Sequence, residues 1–259
     1  RRINILHGYY SPHRYITDNL DKIHTNAVHC NVQQCMKASF ILDLEHSFHF
    51  YMVQEWEDKI VEHAKYPFWI GIDEPKLNKE HDHLLHIPNF YEFKHNKDVV
   101  DNNIVGFAAR METRKCPHFL QGIKSELTTD PKDVLWWKRN LDIDTTDWKI
   151  YKFNYEFLGK FYERGWGISH SAHIYEPFGY SIFQAIDYGK LPILAKDWLP
   201  KYDYPFRAQS PEEFKEQYET ICKLSTKERQ EYLVPLRDYL RKFDNKKQWT
   251  EQLLKLYNE

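Results

Sequence analysis

Glycine is scarce in this chain, with 9 residues in 259. Cysteine is scarcer: Cys30, Cys35, Cys116 and Cys222 stand at irregular spacing. Four scattered thiols make no disulfide framework at this length, and reduced cysteines in a cytosolic protein are the simplest reading. No apolar run approaches the ~20 residues that a membrane span needs, and no secretory signal pattern stands at the start. A basic excess is also missing. The formal net charge is −2, so no global field favours nucleic acid, and only a local patch could bind it. The 14 His are scattered, with no His-Glu-x-x-His and no tight Cys/His pairing, so no residue is assigned to a metal.

What is present is core-forming material. Hydrophobic residues make up 42% and charged residues 29%, enough for a packed globular chain of one large or two smaller domains. Short apolar runs alternate with helix-like spacing. Strands are expected at 3–10, 26–32, 38–47, 66–73, 103–110, 133–137, 148–153, 166–171, 191–196 and 204–210. Helices are expected at 13–24, 48–65, 117–124, 154–165 and 178–189, with an amphipathic tail from Pro211. Residues 90–103 are charged, lack apolar order, and read as a linker. The expected architecture is α/β: two Rossmann-like doubly wound halves, 1–92 and 93–259, the first reduced and the second carrying a helical tail.

The scarce glycines cluster informatively. In "HIYEPFGYSIFQAIDYGKLPIL", Gly179 and Gly189 bracket one short helix, with Glu176 just before it. In a doubly wound sheet, ligands bind where strands end and helices begin. Gly179 lets an anion approach the first-turn N–H groups, which the helix dipole favours. Glu176 stands outside that turn, placed to accept hydrogen bonds from hydroxyls attached to the anion. A phosphate with hydroxyls on both sides describes a nucleotide-sugar. The bland alternative gives both glycines capping roles and Glu176 a dipole role.

The stretch resembles the C-terminal half of retaining GT-B glycosyltransferases, whose signature runs "E-x-F-G…E-A-x-x-x-G-x-P-V". Glu176, Phe178, Gly179, Ala185, Gly189 and Pro192 stand in register, and Gln184 replaces the second Glu. The resemblance implies that Glu176 contacts the donor sugar and Gln184 meets the ribose. Pro177 and Tyr180 complete that donor loop. "NIVGFAARMETRKCPHFL" resembles the first strand and loop of that half, which makes Arg110, Arg114 and Lys115 the cations on the donor diphosphate. Cys116 stands there where Gly is common. The backbone of Tyr151, Lys152 and Phe153 is implied to hold the base. "HIPNFYEF" resembles the interdomain hinge. In the amino half, "INILHGYYSP" keeps only Gly8 of a usual glycine pair. The strand end "LDLEHS" brings Asp43, Glu45 and His46 to the acceptor side, with Glu45 and His46 the catalytic candidates.

Short motifs, "EHS" and "ARMETRK", resemble the α-glucosyltransferases that T-even-type phages use on DNA. That resemblance implies retaining transfer from a UDP-sugar to 5-hydroxymethylcytosine, with the base flipped from the stack. It implies no cofactor, a nucleotide-sugar and double-stranded DNA as partners, no membrane, and a host-cytoplasmic location if the chain is phage-encoded. His13, Arg14, Lys37, Lys138, Arg139, Lys152 and Lys160 are the candidate phosphate contacts. A glycan or small-molecule acceptor, and an idle nucleotide-sugar-binding protein, remain the alternatives.

Overall fold

A computed structural model describes residues 5–8, 27–31, 47–51, 66–69, 71–74, 82–174 and 176–258. The chain divides into two compact units. One comprises 1–90 with 245–259, and the other comprises 91–244. The first unit holds a parallel sheet in the order β1 (Ile5–Gly8), β2 (Ala27–Asn31), β3 (Ser47–Tyr51), β4 (Tyr66–Trp69) and β5 (Leu85–His86). The expected helix over 48–65 therefore gives way to strand at its start. "SFHFY" is dense in aromatic residues, with Phe48 and Phe50 two apart, which suits a pleated strand better than a helical face. The expected strand over 38–47 lies outside the described residues except for Ser47.

The second unit carries six parallel strands. They are β6 (Val105–Ala108), β7 (Ser125–Thr129), β8 (Trp148–Lys152), β9 (Ile168–Ser171), β10 (Leu191–Ala195) and β11 (Arg207–Ala208). Their order across the sheet is β11-β10-β9-β6-β7-β8. The chain starts in the middle, builds outward through β7 and β8, then returns to lay β9 beside β6 and builds the other way. This is the doubly wound order. Val105, Phe107, Leu127, Ile168, Leu191, Ile193 and Leu194 are all fully buried, as a parallel sheet covered on both faces requires.

Caps explain the helices. α1 (Pro131–Leu141) begins with the Asp130 side chain accepting from the Lys132 N–H, followed by Pro at the first turn. The expected strand over 133–137 is thus a helix. "DVLWW" follows an Asp-Pro start, and Val134 and Trp137, three residues apart, are its buried pair. α2 (Tyr155–Tyr162) takes Asn154 as its cap. α3 (Tyr180–Asp187) starts at Gly179. α4 (Pro211–Cys222) is capped by Ser210, and α5 (Thr226–Leu240) opens on a full Ser225–Glu228 capping box. α6 (Lys246–Asn258) closes the described chain. The expected helix over 117–124 is a single 3₁₀ turn, Pro117–Leu120. β7, which follows it, carries no strong sequence signal. Among the described residues no helix is long and apolar enough to cross a membrane.

Residues 91–103, which read as a linker, form neither helix nor strand, yet they are firmly held. Asp187, at the end of α3, is completely buried. Its carboxylate accepts from the N–H groups of Lys94 (3.1 Å), His95 (3.0 Å) and Asn96 (2.7 Å), and from the Tyr91 hydroxyl (3.2 Å). Gly189 then turns the chain at φ +77°, and a Cβ there would lie 1.9 Å from the Asp98 carbonyl oxygen. The second glycine of the bracket is therefore a packing necessity. Asp187→Ala removes the side-chain acceptor from three N–H groups and the Tyr91 hydroxyl and is expected to cost on the order of 3 kcal/mol. Asp187→Asn, which keeps one oxygen, should cost less. Urea unfolding checks both, and equal midpoints for all three proteins would remove the clamp.

Candidate functional site

Between β6 and β9 the direction of winding reverses, so the loops leaving their carboxyl ends diverge and open a crevice. The loop after β6 carries Arg110, Glu112, Arg114, Lys115 and Cys116. The loop after β9 carries His173, Glu176, Pro177, Phe178 and Gly179. Three contacts lace the two loops together. The Ile174 N–H donates to the Arg114 carbonyl at 2.8 Å. His170 Nε2 donates to the Cys116 carbonyl at 2.8 Å. Lys115 Nζ donates to Glu176 Oε2.

That last pair is the electrostatic centre. The two side chains are 15% and 14% exposed. Burial pushes the Glu176 carboxyl up, but the His173 contact and the Lys115 charge outweigh it and hold its pKa at about 2. Burial pushes His170 down to about 3, so it is neutral in its bond to Cys116. Cys116 itself sits at φ +51°, a left-handed position that explains why a glycine is usual there. Burial raises its thiol, so it offers no ready nucleophile.

Gly179 caps α3 at φ +82°, and a Cβ there would lie 2.8 Å from Ile182 and 3.2 Å from the Glu176 side chain. The backbone angle and the Ile182 contact favour glycine there. In the first turn that follows, the Ile182 N–H donates to the Gly179 carbonyl at 2.8 Å, and the N-terminal end of the helix carries the positive end of its dipole. Phe178 is buried against Phe183, with ring centroids 4.6 Å apart, and its carbonyl accepts from Trp198 Nε1 at 3.3 Å. Trp198 belongs to the turn after β10. Arg207 holds that turn by donating to the carbonyls of Ala195, Trp198, Leu199, Tyr202 and Tyr204 at 2.6–3.1 Å.

The structure brings Glu176, Lys115, Pro177, Phe178 and Gly179 to one place, with Tyr180 exposed at the start of α3. Arg110 and Arg114 are on the β6 loop, where both meet Glu112, at 3.2 Å and 2.8 Å. Burial works against the Glu112 charge, but the bond to Arg114 and the charges of Arg114, Arg110 and Lys115 keep its pKa below the usual range. Gln184 lies half-buried on α3 and makes no side-chain hydrogen bond among the described residues. Tyr151, Lys152 and Phe153 end β8 and follow it. The Phe153 N–H donates to the Thr129 carbonyl at 3.0 Å, and Arg164 stacks 4.3 Å from the Tyr151 ring centroid. Gly8 ends β1 in the first unit. Asp43, Glu45, His46, His13, Arg14 and Lys37 lie outside the described residues. Lys138, Arg139, Lys152 and Lys160 are exposed. Among the described residues no group of three or more His, Cys, Asp or Glu is placed to hold a metal.

Sequence reasoning missed His173, Glu112 and the Trp198–Arg207 support. A His three residues before Glu176, and a Glu alternating with cations in "ARMETRK", were the available signals.

No protein-family model matches the chain, and no curated protein matches it in sequence. Solved structures do match. A sucrose-phosphate synthase from Thermosynechococcus elongatus aligns at TM-score 0.68 and 13% identity, over 95% of this chain and 76% of its own. A TarM variant from S. aureus, in complex with fondaparinux, α-GlcNAc-glycerol and UDP, aligns at 0.67 and 13%, over 90% of this chain and 55% of its own. An α-glucosyltransferase in complex with UDP-glucose and DNA containing an abasic site aligns at 0.60 and 12%, over 90% and 80%. The chain spans about half the length of TarM and about three quarters of the synthase. It has the α/β fold of GT-B glycosyltransferases.

Because its pKa is lowered when folded, Glu176 stabilises the fold fully above the ordinary carboxylate pKa of 4.5 and loses that contribution as pH falls toward 2. Lys115→Met, which leaves the carboxylate without its buried cation, is expected to cost about 3 kcal/mol at pH 7. The difference from wild type should shrink steadily between pH 4.5 and 2. Urea unfolding across that range checks the sign, and a difference that ignores pH would break the pairing.

Proposed function

We propose that the chain is a retaining glycosyltransferase that moves a sugar from a UDP-sugar to a hydroxyl acceptor, most favourably 5-hydroxymethylcytosine in DNA. The observation that carries the transferase reading is the convergence of Lys115 and Glu176 on the crevice at the β6/β9 reversal, beside the glycine-capped start of α3. A diphosphate suits a crevice with three cations on one wall and the N-terminus of α3 on the other. In this scheme the first-turn N–H groups after Gly179 take a phosphate. Arg110, Arg114 and Lys115 supply counter-charge to the leaving diphosphate, where negative charge grows in the transition state. Gln184 meets the ribose through its amide. The end of β8 receives the base.

Glu176 does not have to act as an acid. A carboxyl held at about pKa 2 is ionised at neutral pH, so its role is to accept hydrogen bonds from the donor sugar and to face positive charge that develops on it. Oε2 is occupied by Lys115, and Oε1 has no polar partner among the described residues. Glu45 and His46 are assigned to the acceptor side. Support for DNA as acceptor comes from the "EHS" and "ARMETRK" motifs and from the fold shared with an α-glucosyltransferase bound to DNA.

The test is UDP release from a panel of UDP-sugars, with and without duplex DNA containing hydroxymethylcytosine. DNA-stimulated release is expected. Release indifferent to DNA would move the acceptor to a glycan or small molecule, and no release with any donor would leave a binding protein. Glu176→Ala and Lys115→Ala should each lower turnover by about 10²-fold or more with circular dichroism unchanged. Near-wild-type rates for both would sink the site.

A further inference from the structure

We infer that His173 is a positioning residue for Glu176: it faces Oε2, the carboxylate oxygen that Lys115 holds, and so leaves the other, Oε1, to the donor sugar. The inference rests on the donor-site reading above for the identity of the sugar, but its geometry stands apart. His173 is 1% exposed and follows β9 by two residues. Phe107 meets its ring edge-on at 6.1 Å, and the His170 ring lies 5.5 Å away. Nδ1 stands 3.5 Å from Glu176 Oε2, the same oxygen that Lys115 holds.

That separation is contact without a made hydrogen bond, and neither ring nitrogen has a hydrogen-bond partner among the described residues. A buried imidazole left this way is costly, and a small movement of the carboxylate satisfies it. Hydrogen bonds of this kind commonly tighten when substrate arrives. The charged and titratable groups around the ring are Glu176, Lys115, Arg114 and His170. Burial first, then the positive charges of Lys115 and Arg114, keep the imidazole neutral against the pull of Glu176. A neutral ring carries one N–H, and the Nδ1–H tautomer aims it at Oε2. Lys115 supplies charge to that oxygen from one loop, and His173 supplies direction from the other. A flexible ammonium alone would let the carboxylate rotate, exchanging Oε1 and Oε2.

Three variants test this. The amide nitrogen of Asn reaches about as far as Nδ1 of His, and that of Gln about as far as Nε2, while Phe keeps the ring and removes the donor. The Glu176 carboxyl titration, followed by carbon-13 NMR in the ligand-free protein, should move upward in His173→Phe and His173→Gln and return toward wild type in His173→Asn. Turnover should fall about 10- to 100-fold in Phe and Gln, recover in Asn, and leave the donor KM within about twofold. A merely structural role predicts a lower Tm in all three with the Glu176 midpoint unmoved, and that result would overturn the inference. Should His173→Phe not fold, the Asn and Gln pair decides. Absence of turnover in the wild type would fail the glycosyltransferase reading, whereas the NMR arm would still judge the His173 contact.

Discussion

One partly buried ion pair, Lys115 with Glu176, ties together the two loops that a doubly wound sheet forces apart. The sheet of the second unit begins in its middle strand and reverses between β6 and β9. Parallel strands joined by right-handed crossovers then send neighbouring chain ends to opposite faces, and a crevice opens there. Nothing in the hydrogen-bonded ladder bridges the gap. Side chains do it: Lys115 to Glu176, His170 to the Cys116 carbonyl, and a lone backbone bond from Ile174 to Arg114. The fold supplies the crevice, and these contacts fix its two walls.

A buried pair is a poor source of net stability, since desolvating two charges offsets much of their attraction. Its value here is preorganisation. Glu176 is ionised and anchored before any ligand arrives, so a ligand hydroxyl meets an acceptor already oriented. The same short helix shows the opposite use of a carboxylate. Asp187 at its far end is sealed by three N–H groups and a hydroxyl and has no access to solvent. Among the described residues, one carboxylate keeps an oxygen without a polar partner and the other keeps none, and α3 is strung between them. Gly179 and Gly189, which bracket it, serve those two different ends.

The second unit was largely legible. Its apolar strands β6 and β10, the Asn154 and Ser210 caps, and the Glu-Pro-Phe-Gly turn all carry local signals strong enough to survive in one sequence. β7 was not legible because "SELTT" has neither strict alternation nor an apolar run; its burial comes from neighbours on both sides. Residues 133–137, expected as strand, are helical because the Asp130 cap and Pro131 at the first turn outweigh the β propensity of Trp136 and Trp137. Residues 91–103 looked like a linker since their order comes from outside: Asp187, Gln230, Arg237 and Arg241 hold their N–H groups, carbonyls and side chains. Glu176 and Lys115 were visible as motif members, but their pairing was not, because it depends on the fold between two positions 61 apart in sequence. His173 was invisible for the same reason.

Glycine scarcity returns at this point as a structural problem that the chain solves with side chains. Cys116 and Leu199 both sit near φ +50°, where an ordinary residue loses roughly 1–2 kcal/mol relative to the right-handed region. Neither has the short polar side chain that eases that conformation. Each is instead held from outside. His170 and the Thr113 carbonyl hold Cys116 through its own carbonyl and N–H. Arg207 holds Leu199 and the four other carbonyls of its turn. Strained backbone persists only where surrounding structure over-determines it. Both places border the β6/β9 crevice, one through Lys115 and the other through Trp198 and the Phe178 carbonyl. With glycine at these positions the loops could relax into many conformations; with Cys and Leu they are locked or lost. The rigidity of the site therefore follows from the same shortage of glycine that first distinguishes the sequence.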